Sequence, residues 1–328
     1  MHRRILVAAS AAAVLAGCPP SHDFKSLAPA ATAASTSFSS PLDATLSPDG
    51  RTAYFIAVLP EVSSETSETP MPERSGVFMM PVGSTEAPTL MASTDPLASP
   101  LNLDISSDGK TLYIADSTAG VDLADNGSLL KLDTAAGGTL AMVDPTLGYR
   151  SRGIIVVNQD WRDQVYFTGN DPADGLPGVF KLDTKSNEVT VVSKSELFVD
   201  PSGIVVADNG DIFVADTQTG GLLANVIHIP KGKDAVELIP NLMLGYPAGI
   251  SISKDQQILL VSALDPETSK DTVIRYDLKA NTMEMFNEGI SGFEESAGLH
   301  RAKDVESYVW ADSQANGGGT VYVINGVK

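Results

Sequence analysis

"SGIVVADNGDIFVADT", residues 202 to 217, reads as two short apolar strands folded about a polar turn. Ile204, Val205 and Val206 precede the turn and Ile212, Phe213 and Val214 follow it, and β-branched and aromatic residues of this kind favour the pleated backbone. Asn209-Gly210 supplies residues that accept positive φ, which a tight hairpin requires, so the two strands are fixed as neighbours. Nearly the same sentence stands at residues 101 to 117, "LNLDISSDGKTLYIADS".

Outward from these two copies, four more follow: "LDATLSPDGRTAYFIAV" from Leu42, "RGIIVVNQDWRDQVYFTGN" from Arg152, "AGISISKDQQILLVSA" from Ala248 and "AGLHRAKDVESYVWADS" from Ala297. With Tyr54, Tyr113, Tyr166, Phe213, Leu259 and Val309 taken as equivalent, the steps are 59, 53, 47, 46 and 50 residues. A repeat of roughly 40 to 50 residues plus loop insertions is the spacing of a four-stranded propeller blade. After each pair comes a third strand, as in "GVFMMPV" from 76 and "TVYVING" from 320, and in most units a fourth, as in "EVTVVSK" from 188. One blade is too small a sheet to have a core, so only stacking against two neighbours buries both of its faces. The chain is therefore expected to be all-β, a six-bladed β-propeller over residues 42 to 328.

The sixth unit runs out of residues before its outermost strand. Part of 23 to 38 is expected to pair there and close the ring, which would remove an open sheet edge. Residues 18 to 41, rich in Pro, Ala, Ser and Thr, otherwise read as a tether.

The first 17 residues read as a signal peptide: His2, Arg3 and Arg4 are a short basic region and "ILVAASAAAVLAG" an apolar one. Leu15-Ala16-Gly17-Cys18 resembles the lipobox of bacterial lipoproteins, which implies lipidation of Cys18 and anchorage in the cell envelope, on the periplasmic side of an outer membrane or on the cell surface. Cys18 is the single cysteine, so no disulfide can form within the chain. Loss of Arg3 and Arg4 would leave 20 basic residues against 41 acidic, a formal charge of −21. Such a protein is repelled by nucleic acid and by anionic headgroups, so contact with a membrane is expected through the lipid alone, and metal cations or basic partners fit its charge.

The unit "SGIVVADNGDIFVADT" resembles the six-bladed propellers of the NHL repeat and of the senescence-marker-protein/gluconolactonase family, while "LSPDGRTAYFIAV" is similar to seven-bladed surface propellers of the YVTN type. The gluconolactonase resemblance implies a divalent metal at the centre of one face, held by an acid at the first inner strand and by Asn or Asp before the glycine of later ones. Here those pairs are Arg152-Gly153, Ser202-Gly203, Ala248-Gly249 and Ala297-Gly298, with Asp43 and Asn102 the oxygen-bearing side chains left in the first two units. Arg152 would aim a cation at the metal position.

Asp116, Asp216 and Asp312 close the second strand of three units, either as a ring of carboxylates at the channel mouth or as acceptors for backbone amides of the next turn. The loops between second and third strands hold 14 acidic residues against Arg74 and Lys270, so one strongly negative face is expected. Within it Asp122 and Asp125 of "DLADNGS" are the best local candidates for Ca²⁺, though such ions take six or more oxygens. His300 on the sixth inner strand could face the channel as a general base or be a satisfied structural histidine. No G-x-S-x-G, H-E-x-x-H, C-x-x-C or phosphate loop is present. The expected function is an envelope-anchored, non-catalytic binding or assembly module that presents this acidic loop face to a protein or a cationic ligand. The alternative is a metal-dependent lactonase whose ligands come from Asp43, Asn102, Asp116, Asp200 and Asp216.

Overall fold

A computed structural model describes residues 37–60, 74–120, 127–135, 137–217, 223–268, 270–286 and 296–325. Its strands form six antiparallel sheets, ordered along the chain. Blade 1 holds β1 (Ser39–Leu46), β2 (Thr52–Val58), β3 (Ser75–Pro81) and β4 (Thr89–Ala92); blade 2 holds β5 (Pro100–Ile105), β6 (Thr111–Asp116), β7 (Ser128–Asp133) and β8 (Leu140–Met142). Blade 3 holds β9 (Ile154–Gln159), β10 (Arg162–Asn170), β11 (Pro177–Asp183) and β12 (Glu188–Ser193); blade 4 holds β13 (Pro201–Val206), β14 (Ile212–Asp216), β15 (Ala224–Ile229) and β16 (Val236–Leu242). Blade 5 holds β17 (Ile250–Ile252), β18 (Ile258–Leu264), β19 (Asp271–Asp277) and β20 (Thr282–Phe286); blade 6 holds β21 (Ser296–Arg301), β22 (Ser307–Asp312) and β23 (Thr320–Asn325). First strands of successive blades touch around the axis, and β21 returns to β1, so the molecule is a closed six-bladed β-propeller.

The repeat builds a core at every seam. Six buried apolar clusters lie one between each pair of adjacent blades. Side chains alternate across a strand, so Tyr54 and Ile56 of β2 join the seam with blade 2 while Phe55 and Ala57 join the seam with blade 6. Each blade thereby shares both faces, which a lone four-stranded sheet cannot do.

The hairpin turns follow their residues. Gly50, Gly109 and Gly210 all have positive φ, between 73° and 89°, and in the first two turns Ser47 and Ser106 each accept two turn amides and donate to Asp49 and Asp108 at 2.7 Å. Those serine hydroxyls hold the two carboxyls below their usual range. Blade 3 has no glycine in its turn and uses Asp160 (φ 52°) and Trp161 (φ 64°) instead.

The pairing of part of 23 to 38 with blade 6 falls mostly outside the described residues. Ser37 and Phe38, which are described, precede β1 and belong to no strand. Phe38 fills the seam between the last and first blades, 4.9 Å from the ring of Phe55 and 5.8 Å from that of Phe78, beside Val309 and Val321. Ser40 also donates its amide to the Gly318 carbonyl at 2.7 Å, tying the start of β1 to the start of β23. No described helix is long and apolar enough to cross a membrane.

Candidate functional site

The first strands begin on one face, the loop face, which also carries the connections between second and third strands. The opposite face carries the tight hairpins. Near the loop face the inner strands crowd the axis, and their glycines mark where they do. A Cβ on Gly153 would lie 2.6 Å from the Ser202 carbonyl oxygen, and one on Gly203 would lie 2.3 Å from that of Ala248. The recurrent glycine of the inner strand is thus a steric requirement of the ring.

Asp43 and Asn102 stand where later blades have that glycine, and their side chains bridge to the next inner strand. Asp43 Oδ2 accepts the Leu103 amide at 2.7 Å, and Asn102 Oδ1 accepts the Ile154 amide at 3.0 Å. His300 reaches the same Asp43 oxygen through Nε2 at 3.1 Å, and both residues are buried. Gly298 makes room for this carboxylate, since a Cβ there would fall 1.5 Å from Asp43 Oδ1. Burial raises the Asp43 carboxyl above its usual range against the pull of His300. For His300 burial acts downward, but the Asp43 carboxylate outweighs it and the imidazole is raised on balance.

One layer deeper lies a pair with no counterpart in the sequence reading. Asp104 accepts the Val156 amide at 2.6 Å and the Thr45 hydroxyl at 3.0 Å, and Lys303 Nζ binds it at 2.9 Å while also donating to the Val156 carbonyl at 2.7 Å. Lys303 follows β21 of blade 6, and Val156 lies in blade 3, diametrically opposite in a ring of six. A side chain that touches both bridges the channel near its hairpin end. The signal that could have exposed Asp104 is its position as an acid inside the apolar strand "LNLDI".

The carboxylates that close second strands act on the loops. Asp116 accepts four amides, from Ala98, Ser99, Thr118 and Ala119, at 2.8 to 3.0 Å. Asp216 accepts those of Val199 and Asp200 at 2.9 Å, and Asp312 accepts those of Gln314 and Ala315. All three are at most 1% exposed. Asp171, Asp265 and Asp271 of the same loops are buried as well. The described part of the face expected to be strongly negative therefore turns six of its aspartates inward. Asp122 and Asp125, like Glu61, Glu65, Glu68 and Glu73, lie outside the described residues. Among the described residues no group of three or more His, Asp or Glu side chains is arranged to hold a metal.

At the mouth Arg152 is engaged rather than aimed freely at the axis. Its Nε lies 2.8 Å from Asp200 Oδ1, an ion pair rather than an aligned hydrogen bond, and Nη1 donates to Asn170 at 2.7 Å. Burial lifts the Asp200 carboxyl and the guanidinium opposes that lift. Around this group the loop face is apolar: Leu147, Leu176, Leu197, Val199, Leu223 and Tyr246 are between 36% and 54% exposed. They come from the connections of blades 2 to 5, so they form an arc over consecutive blades. Charge counting along the sequence passes over them. Exposed acids on the same face are Asp95, Asp144, Asp174, Glu196 and Glu267, against exposed Arg74, Arg150, Lys194 and Lys270, and Lys194 is paired with Asp174 at 2.8 Å.

Blades, seams and a bridged axis define the class: this is a six-bladed β-propeller. A chain of a nidogen/laminin complex structure is similar in fold at 15% identity, TM-score 0.56, with 80% of this chain and 84% of that one covered. TolB from Acinetobacter baumannii is similar at 15% identity, TM-score 0.51, covering 76% of this chain, which spans 55% of TolB. The propeller domain of the Trilobed protease from Pyrococcus furiosus, described as having an open velcro topology, gives 12% identity, TM-score 0.50, and 88% and 82% coverage. These likenesses carry the fold alone. No protein-family model and no curated protein sequence matches the chain.

Proposed function

We infer that this protein is a lipid-anchored propeller of the bacterial envelope that acts as a non-catalytic docking module, binding a partner protein through its loop face. One observation carries the reading: six large apolar side chains stand in water on that face while six of its aspartates are buried beneath it. Exposed apolar groups gathered on one face and rimmed by polar ones are the mark of an association surface. The exposed acids around the arc favour a partner with a basic rim, and they outnumber the exposed bases. Lipidation at Cys18 would keep the module in the envelope, where such a partner is to be sought.

The lactonase alternative asks more of the axis. Asp43 and Asn102 would have to release the Leu103 and Ile154 amides that join the inner strands. Two measurements separate the readings. The full chain with Cys18→Ser, immobilised and washed with solubilised envelope, is expected to retain a discrete protein that Leu176→Ser/Leu223→Ser fails to retain at unchanged melting temperature. Hydrolysis of lactones that depends on Ca²⁺, Mn²⁺ or Zn²⁺ and disappears with Asn102→Ala would overturn the docking reading.

A further inference from the structure

On the hairpin face, away from the proposed docking arc, a cleft of about 1140 Å³ opens between blades 3 and 4. One wall is the turn of β9 and β10, with Asn158, Gln159 and Asp160; the other is the turn of β15 and β16, with Lys231, Lys233 and Asp234. Thr190 of β12 and Tyr166 of β10 complete it, the tyrosine hydroxyl held by Gln159 at 3.1 Å. Its size is that of a small-molecule site or larger, such sites running to about 1,000 Å³.

Trp161, at the tip of the first wall, departs from its surroundings twice. It is 98% exposed, whereas the other tryptophan, Trp310, is fully buried. It also sits at positive φ directly after Asp160, which does the same, in a turn where blades 1, 2 and 4 have glycine. A non-glycine residue in that region costs roughly 1–2 kcal/mol. Neither the exposure nor the backbone strain helps the fold, and such costs gather where a surface is used.

The charge of the cleft narrows the ligand. Lys181, Lys231 and Lys233 are matched by Asp160, Asp208 and Asp234, so the lining is neutral in a chain of formal charge −19. A polyanion or a basic peptide would find no net attraction there. Amide, hydroxyl, carboxylate and ammonium groups dominate the walls, which suits a ligand with donors and acceptors all round. Trp161 is not itself in that lining but follows Asp160, which is, at the cleft's edge, and an exposed indole there suits the flat C–H face of a pyranose ring held against the wall. We propose that this cleft binds a neutral oligosaccharide, with Trp161 as the stacking platform and the Asn158, Gln159, Lys231 and Asp234 side chains as the hydrogen-bonding rim.

The test uses the full chain with Cys18→Ser and a panel of chitotetraose, cellotetraose and maltotetraose. Since Trp310 is buried, a change in emission on titration reports on Trp161. At least one sugar is expected to give saturable quenching with a matching calorimetric heat. Trp161→Ala is expected to weaken that binding at least tenfold, and Lys231→Ala/Asp234→Ala severalfold, while Leu176→Ser/Leu223→Ser leaves it unchanged and so keeps it distinct from loop-face docking. Trp161→Gly, which relieves the turn, is expected to raise the melting temperature while losing the sugar. Absence of heat and emission change for all three sugars at millimolar concentration overturns the proposal. So does binding that survives Trp161→Ala, or binding in the cleft of an extended valine-rich peptide and of no sugar.

Discussion

The axis and the loop face of this propeller invert each other. At the axis polar side chains are sealed from water, and each meets a partner on a different blade: Asp43 with His300 and Leu103, Asn102 with Ile154, Asp104 with Thr45, Val156 and Lys303. On the loop face apolar side chains are left in water, while the aspartates beneath them hold backbone amides. A buried charge is costly unless paired, so polar groups at the axis are evidence of fastening between blades. An exposed apolar group gains nothing for the fold, so the loop face is where a partner would gain from it. Residue chemistry alone suggests the reverse assignment, with carboxylates as the site and leucines as the core.

Disturbing the axis should give the largest effects. His300→Leu leaves the buried Asp43 carboxylate without its cation, and breaking such a pair is expected to cost about 3–5 kcal/mol. Gly298→Ala drives a methyl group into Asp43 and is expected to cost at least as much, since the Leu103 bond goes with it. Urea unfolding of the two variants measures both, and near-native midpoints would remove the axis as a fastening. The pair also fixes a pH dependence. His300 and Asp43 are both raised, so the folded state holds protons more tightly than the unfolded one and stability must fall as pH rises. The His300 contribution is complete below its unfolded value, about 6.5, and is lost as pH rises through the higher folded value. Melting temperature followed upward from pH 6 should therefore decline in the wild type, and a flat profile would remove this contribution of the pair.

A middle effect belongs to the junction of the two regions. Asp116→Ala strands four amides at the base of the loop face, and leaving buried donors unsatisfied is expected to cost about 1–3 kcal/mol. Differential scanning calorimetry of Asp116→Ala against the wild type would show it.

Hairpins, blade number and the inner glycines were legible because each is a local fact: Asn209-Gly210 specifies its turn, and the period of Tyr54, Tyr113 and Tyr166 specifies the blade. The axis was not, because ring closure joins residues 257 and 199 positions apart, Asp43 to His300 and Asp104 to Lys303. A register shift in blade 6 between Ser296 and Leu299 further hides which of its residues faces Asp43. Loop acidity left two readings open for a different reason. A sequence counts carboxylates without showing that Asp116, Asp216 and Asp312 already have backbone partners.

The smallest expected effect on stability is the one that bears most on function. Leu176 and Leu223 are 54% and 47% exposed. Changing them to serine removes little buried area, so stability should move by no more than about 0.5 kcal/mol, as for surface substitutions elsewhere. Their value to a partner would be much larger, because an apolar group at the centre of an interface is desolvated completely there and hardly at all in the free protein. Leu176→Ser/Leu223→Ser is therefore expected to leave urea unfolding unchanged while abolishing retention of the envelope partner. Glu196→Gln/Glu267→Gln, which alters the exposed acid rim, should slow association and weaken its salt dependence without abolishing it. If the rim pair abolished retention and the leucine pair did not, recognition would be electrostatic, and the arc of apolar side chains would lose its claim to be the docking surface.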